Sequence, residues 1–356
     1  MKVAHIITNL KLGGPCKVMS ENILHLPHSV ESQVYYCKDL EGFDNLLDAR
    51  KLTVKNFSEL KNYDVVHSHG LRPDGIAALS ALLHRKTVHI STIHNYVYEE
   101  MHNIYGAKAS KVISPLWIRA WNQLDALVVL TNDSKRYYKK WFKQESLNVI
   151  GNGMDFSLSN KPLKEEDRTR IEKLKGSYKL IGSNSHVIKR KGLDQIIRAL
   201  QDMPDYALVV VGDGPYRENL EQLAKELDVA DRCLFTGFRK NAVNFLPYYD
   251  VYAMASRDEG FGLALIEGLA FGVPCVCSDI PSFREILNPE SGCFFELDNI
   301  SSLRSAISGA FSERYELGAN AKRLYREKYT GQIMADKYYT LYQTLVQQKE
   351  CKEKAG

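Results

Sequence analysis

The feature that most constrains this chain is its rhythm. Short apolar runs of strand length alternate with amphipathic stretches of helix length over almost all of its 356 residues. In the first half the strand-like runs are Val3–Thr8, Asp64–His67, His89–Ile93, Ala126–Leu130 and Asn148–Ile150. In the second half they are Lys179–Ser183, Ala207–Val211, Cys233–Thr236, Val251–Ala253 and Cys275–Ser278. These runs are rich in Val, Ile and Leu with little polar alternation, as strands covered on both faces must be. Helical stretches lie between them, among them Pro73–His84, Asn132–Phe142, Leu193–Gln201, Arg217–Leu227 and Leu263–Phe271. Strand–helix–strand repetition implies parallel sheets with right-handed crossovers.

The rhythm breaks over residues 155–178, where Lys161–Arg168 is polar and charge-dense. A domain boundary is expected there. After Asn299 only helical stretches follow, the last with Met334, Tyr338, Leu341, Tyr342 and Leu345 at helical spacing. The α/β reading is therefore two doubly wound, Rossmann-like domains facing a cleft, followed by C-terminal helices. Residues 1–160 form the first domain and 161–330 the second, with 331–356 a helix crossing back to the first. Ligands in such sheets bind beyond the carboxyl ends of the strands.

Composition narrows the functional classes. There are 47 Lys plus Arg against 43 Asp plus Glu, a net charge of +4. This falls short of a nucleic-acid footprint, and no nucleic-acid partner is expected. The surplus lies in the first half and is densest over 101–145. There Lys135-Arg136-Tyr137-Tyr138-Lys139-Lys140-Trp141-Phe142-Lys143 follows Trp117, Arg119 and Trp121. Basic residues interleaved with aromatics suit an anionic membrane surface. The alternative is a helix with Tyr138 and Phe142 in the core and its lysines solvated. Seven scattered cysteines suit a reducing compartment. No run of about 18 uncharged apolar residues is present. A cytoplasmic protein is expected, peripheral at the cytosolic face of the membrane if the basic region docks there.

The most informative segment is Asp258-Glu259-Gly260-Phe261-Gly262-Leu263-Ala264-Leu265-Ile266-Glu267-Gly268. It follows a strand and opens a helix. Its glycines let backbone approach a ligand, and amides at a helix start favour an anion. Glu259 and Glu267 can each accept hydrogen bonds from hydroxyl groups. A plain glycine turn with a solvated second glutamate is the competing explanation, but Glu267 sits among Leu263, Ala264, Ile266, Leu269 and Ala270. Lys189-Arg190-Lys191-Gly192 places three cations before a helix, where they can clamp a diphosphate. Gly212-Asp213-Gly214-Pro215 is another strand-to-helix turn. Neither it nor Gly13-Gly14 has the G-x-G-x-x-G spacing, which disfavours a nicotinamide dehydrogenase. His67, His69 and His94 fall at strand ends. No carboxylate or cysteine completes a familiar zinc spacing, and no Asp-x-Asp pair sits at a strand end. No metal and no cofactor is expected.

At these residues the sequence resembles the GT-B-fold retaining glycosyltransferases of family four. The most specific mark is Glu259–Glu267, matching that family's E-x7-E element. Gly13-Gly14, Thr92-Ile93-His94, Asn152-Gly153-Met154-Asp155, Lys191-Gly192, Gly212–Pro215, Phe235–Phe238 and Pro274–Asp279 support it in order along the chain. The resemblance implies roles. Glu259 would lie against the donor sugar and Glu267 would hold the ribose. Backbone at Phe261, Gly262 and Leu263, with Arg190 or Lys191, would hold the diphosphate. Backbone at Phe238 and Arg239 would read the base, and Gly212 would line the donor site. His94 would sit at the reacting centre, and Gly13 and Gly14 near the phosphates and acceptor. The family's usual Gly-Arg before Lys-Gly is missing from Gly182–Lys191, which leaves open which cation meets phosphate. The implied activity is transfer of a hexose or N-acetylhexosamine, UDP-activated by preference, to a glycan or lipid-linked acceptor in surface polysaccharide or lipopolysaccharide synthesis. The nucleotide sugar would be a co-substrate and no metal would be needed. A nucleotide-sugar 2-epimerase and a non-catalytic nucleotide-sugar-binding protein are the competing functions.

Overall fold

A computed structural model describes residues 1–10, 13–38, 48–156 and 162–355. The chain divides into two compact units. Unit 1 comprises Met1–Asp155 and Tyr329–Gly356, and unit 2 comprises Phe156–Lys328. Lys161, the first residue of the charge-dense boundary segment, lies outside the described residues.

In chain order unit 1 contains β1 (Lys2–Ile7), α1 (Gly14–His25), β2 (Glu31–Tyr36), β3 (Ala49–Lys51), β4 (Val65–His69) and α2 (Leu71–Leu83). It continues with β5 (Val88–Ile93), α3 (Val97–Tyr105), α4 (Ala107–Trp121), β6 (Ala126–Val129), α5 (Asn132–Tyr138) and β7 (Leu147–Val149). Unit 2 contains α6 (Glu165–Lys175), β8 (Lys179–Asn184), α7 (Leu193–Leu200), β9 (Tyr206–Val211), α8 (Arg217–Glu226), β10 (Cys233–Gly237) and β11 (Val251–Met254). It ends with α9 (Leu263–Phe271), β12 (Cys275–Ser278), α10 (Pro281–Ile286), β13 (Gly292–Phe295), α11 (Ile300–Ser312) and α12 (Arg314–Lys328). The last helix, α13 (Gly331–Ala355), belongs to unit 1.

Each unit is built on one parallel sheet, ordered β3-β2-β1-β4-β5-β6-β7 in unit 1 and β10-β9-β8-β11-β12-β13 in unit 2. In each sheet the strand order reverses direction at one point, between β1 and β4 and between β8 and β11. Adjacent loops diverge there and leave a crevice at the strands' carboxyl ends.

The central strands β1, β5 and β9 are buried along nearly their whole length. The strands that sequence patterning missed lie toward the edges. β2 is half polar, β3 is three residues long, and β13 closes the other sheet. Such strands bury too little to need a continuous apolar run.

The core of unit 2 is apolar, with Ile181, Leu208, Val210, Val251 and Val276 packed against Leu193, Ile197, Leu303 and Ile307. Unit 1 instead buries polar residues inside its sheet and pairs them. On one face Ser68 and Ser91 donate to Asp74 Oδ1 of α2 at 2.6 and 2.7 Å. The indoles of Trp117 and Trp121 in α4 donate to Asp74 Oδ2 at 2.7 and 2.8 Å. On the other face His67 meets Tyr342 of α13 and Thr92 of β5, both at 2.8 Å, and Thr92 meets Tyr338 at 2.9 Å.

This corrects the aromatic part of the surface expected over 101–145. Trp117 and Trp121 are buried donors to a carboxylate, and Tyr138 and Phe142 are core residues. Their neighbours Lys139, Lys140 and Lys143 are exposed. All seven cysteines are free. Among the described residues no helix is long and apolar enough to cross a membrane.

Candidate active site

In unit 2 the reversal between β8 and β11 brings together residues far apart in sequence. Lys191, in the turn after β8, forms an ion pair with Glu259 Oε1, in the turn after β11. Ser256 Oγ donates to the same oxygen at 2.8 Å. Arg190 Nη1 donates to the Asp258 carbonyl and lies 3.7 Å from Glu259 Oε2. Arg257 N donates to the Arg190 carbonyl at 2.8 Å, tying the two turns together.

Two glycines make this approach possible. Gly192 has φ +63°, and a Cβ there would lie 1.9 Å from the Ala255 carbonyl oxygen. Gly262 has φ +94°, and a Cβ there would meet the Phe283 ring at 2.6 Å. A side chain would be strained at either position even with space. Gly262 is the N-cap of α9, and no side chain caps that helix start. The first-turn amides beyond Phe261 and Leu263 are thus the kind of donors that accept an anion.

Glu267 lies further along α9. Burial and the nearby Glu267 carboxylate hold the Tyr249 and Tyr252 phenols well above their ordinary range. The remaining predicted residues sit at the ends of β9 and β10. Gly212 N donates to the Gly237 carbonyl at 3.0 Å, closing that corner. The Phe238 side chain is largely exposed. Arg239 forms a two-pronged pair with buried Asp167 of α6, at 2.7 and 2.9 Å. Sequence reasoning gave no role to Asp258 or Asp167, whose partners Arg190 and Arg239 are 68 and 72 residues away, nor to Ser256, whose bond to Glu259 spans three residues of an irregular turn.

In unit 1 the reversal between β1 and β4 opens a cavity of about 420 Å³, within the range of small-molecule sites. Its walls include Ile7, Gly13, His69, Arg72, His94 and Trp117. Gly13 is the N-cap of α1, and Gly14 is that helix's first residue. His94, half-buried after β5, has Nε2 3.2 Å from His69 Nδ1. Burial pushes His94 down to about 4 and His5 to about 3, and holds His67 and His69 well below the usual imidazole value. All four rings are therefore neutral at pH 7.

His5, His67 and His69 bring one nitrogen each within 4.8 Å of one another, a spacing a metal could use. His67, however, gives both nitrogens to Tyr342 and Thr92. Those two hydrogen bonds occupy His67, while both His5 nitrogens and His69 Nε2 have no hydrogen-bond partner among the described residues.

The family model for glycosyl transferases group 1 matches residues 164–328. The model for glycosyltransferase family 4 matches residues 24–158. The chain is also 31% identical over 355 residues to the O-antigen biosynthesis glycosyltransferase WclY of Escherichia coli, covering 97% of this chain and 99% of the relative. The chain belongs to glycosyltransferase family 4. A UDP-Gal:alpha-D-GlcNAc-diphosphoundecaprenol alpha-1,3-galactosyltransferase of Escherichia coli is 24% identical to this glycosyltransferase over 86% of the chain and 87% of the relative. Among solved structures, that of Anabaena HepE in complex with UDP superposes with a TM-score of 0.83 at 17% identity, covering 97% of this chain and all of that one. The GT-B fold inferred from the family-four motifs is therefore the fold of this glycosyltransferase.

Proposed function

We propose that this glycosyltransferase is a retaining, metal-independent enzyme. It moves a hexose or N-acetylhexosamine from a UDP-sugar to a glycan or lipid-linked acceptor in surface polysaccharide or lipopolysaccharide synthesis. The observation that carries the reading is the gathering of Arg190, Lys191 and Glu259 beside the uncapped start of α9. Cations and helix amides there suit a diphosphate, and a carboxylate beside them suits sugar hydroxyls. The names of the two Escherichia coli relatives support the acceptor class, and the second supports UDP.

In this reading the amides at Phe261, Gly262 and Leu263, with Lys191 or Arg190, neutralise charge on the leaving diphosphate. Glu259 orients the sugar, Glu267 holds the ribose, and the turn at Gly212, Phe238 and Arg239 receives the base. His94, Gly13 and Gly14 serve the reacting centre and the acceptor. The acceptor attacks on the face from which the diphosphate departs, and a departing phosphate oxygen takes its proton. The protein then contributes positioning and charge stabilisation, with no protein nucleophile.

A membrane-docking face also belongs to this proposal, narrowed within residues 101–145 to the exposed side of α4 and the end of α3. Lys108, Lys111, Val112, Leu116 and Arg119 are all exposed and share one side of α4 at helical spacing. Ile104 and Tyr105, at the end of α3, are exposed as well. Basic and apolar side chains on one face suit an anionic lipid surface. Flotation with phosphatidylglycerol vesicles tests it. Wild type should float, and the triple variant Lys108→Glu, Lys111→Glu, Arg119→Glu should not. A wild type that stays at the bottom of the gradient refutes the docking face.

The donor is tested by thermal shift with UDP-, GDP- and ADP-sugars on wild type and Glu267→Ala. A ligand at a hundredfold its Kd stabilises by about 2.7 kcal/mol. UDP-sugars should raise the Tm of wild type, and the variant should lose that response. No shift with any nucleotide sugar would remove the basis of the proposal. The anomeric configuration of the product, read by proton NMR, decides between retention and inversion.

A further inference from the structure

The cavity of unit 1 constrains how His94 can act. His69 Nδ1 and His94 Nε2 are within hydrogen-bonding distance at 3.2 Å. His69 Nε2 is buried and, among the described residues, has no hydrogen-bond partner. Its imidazole neighbours do not supply one. Both nitrogens of His67 are taken up by Tyr342 and Thr92, and both nitrogens of His5 are themselves without partners.

A neutral imidazole carries one N–H donor and one acceptor nitrogen. The pair therefore has two arrangements. In the first, His94 donates from Nε2 to His69 Nδ1. The His69 proton must then sit on Nε2, leaving a buried N–H with nothing to bond. In the second, His69 donates from Nδ1 to His94 Nε2. Only a lone pair is then left at buried Nε2, and unmatched acceptors are better tolerated in protein interiors than orphaned N–H groups. The second arrangement obliges His94 to carry its own proton on Nδ1, because Nε2 is the acceptor.

We infer that His69 is a positioning residue that holds His94 as the Nδ1–H tautomer, so that His94 meets its ligand as a hydrogen-bond donor. The ligand group it recognises is then an oxygen lone pair, on a sugar hydroxyl or a phosphoryl group. It cannot take the acceptor's proton at that nitrogen, since the site is already filled. The consequence for catalysis rests on the proposed placement of His94 at the reacting centre. The tautomer itself does not.

Long-range proton–nitrogen correlation spectra of full-length protein labelled with 15N-histidine read the tautomer directly, with His94 assigned through His94→Gln. Wild-type His94 should show its proton on Nδ1. His69→Leu removes the donor and should release His94 toward the Nε2–H form. His69→Gln supplies an amide N–H in the donor's place and should restore Nδ1–H. In turnover, His69→Leu should lower kcat by about tenfold, the effect of one lost hydrogen bond, with donor KM unchanged and His69→Gln recovering most of it. A proton on Nε2 in wild type overturns the inference, as does a His94 signal that ignores His69→Leu. If the leucine variant does not fold, the wild-type and glutamine spectra still decide. Nδ1–H together with full turnover in His94→Ala would uphold the tautomer and refute the proposed role of His94.

Discussion

Both sheets open a site where their strand order reverses, and the two sites differ in chemistry. In unit 2 the site is ionic, with Lys191 and Arg190 gathered on Glu259 between the turns after β8 and β11. In unit 1 it is a cavity whose walls combine apolar side chains, imidazoles that burial keeps neutral, and the charged side chains of Arg72 and Glu100. The same parallel-sheet plan therefore produces an ion-paired site in one unit and a cavity with neutral imidazoles among its walls in the other. The difference follows from the strand-end residues. The ionic pair also lets cations be held partly buried, because Glu259 offsets Lys191 until an anion takes its place.

The sharpest way to break this contrast is to remove one partner of the ionic pair. Glu259→Ala should lower kcat by about 10²–10³, comparable to loss of a transition-state hydrogen-bonding group. It also frees Lys191, so UDP alone should bind at least as well as to wild type. Lys191→Ala should do the reverse, weakening UDP by about 10–100-fold through loss of a charge-assisted contact. Titration calorimetry with UDP, run beside turnover, separates the two. If both variants lose UDP equally, the pair is a structural tie and not an anion site. In unit 1 the matching experiment is Asp74→Asn. The carboxamide turns a donor toward groups that are themselves donors, and should cost about 3 kcal/mol of stability, read by urea denaturation.

The contrast was only half legible in the sequence. Glu259, Gly262 and Glu267 could be read because the turn and helix that carry them are contiguous. The Lys191–Glu259 pair could not, since 68 residues separate its partners. Trp117 and Trp121 looked like surface aromatics because their local window is basic. What buries them is Asp74, 43 and 47 residues earlier, in a stretch that reads as an ordinary helix start. Helix α4 escaped the pattern, with Pro115 inside it. The edge strands escaped because they are short or polar. Periodicity reports what a segment buries, and pairings across a sheet lie beyond its reach.

A smaller effect tests whether the ionic site extends to the turn after β10. Asp167 is buried and holds Arg239 by two hydrogen bonds. Asp167→Ala should loosen the turn that carries Phe238 and raise donor KM by about tenfold, the equivalent of one net hydrogen bond. The value of kcat should change little. An unchanged KM would confine donor recognition to the turns after β8 and β11.

The smallest expected effect probes how unit 1 carries its deeply buried carboxylate. Burial raises Asp74 to about 6, against the pull of its four donors. The folded state therefore holds the Asp74 proton more tightly than the unfolded chain, whose carboxyl titrates near 3.8. The stabilising contribution of that protonation is fully present below pH 3.8 and is lost as pH rises through 6. At pH 7 Asp74 is mainly ionised, and its oxygens accept from Ser68, Ser91, Trp117 and Trp121. The carboxamide introduced by Asp74→Asn cannot titrate, so the stability gap between wild type and variant should widen on acidification. Between pH 7.5 and 5 the widening should be about 1 kcal/mol, read as the difference between paired urea titrations in which every other titrating group cancels. A gap that narrows instead would mean that the four donors outweigh burial and hold the folded carboxyl below its unfolded value. Unit 1 would then contain an anion site as strongly stabilised as the cation cluster of unit 2, built from indoles and hydroxyls in place of charges.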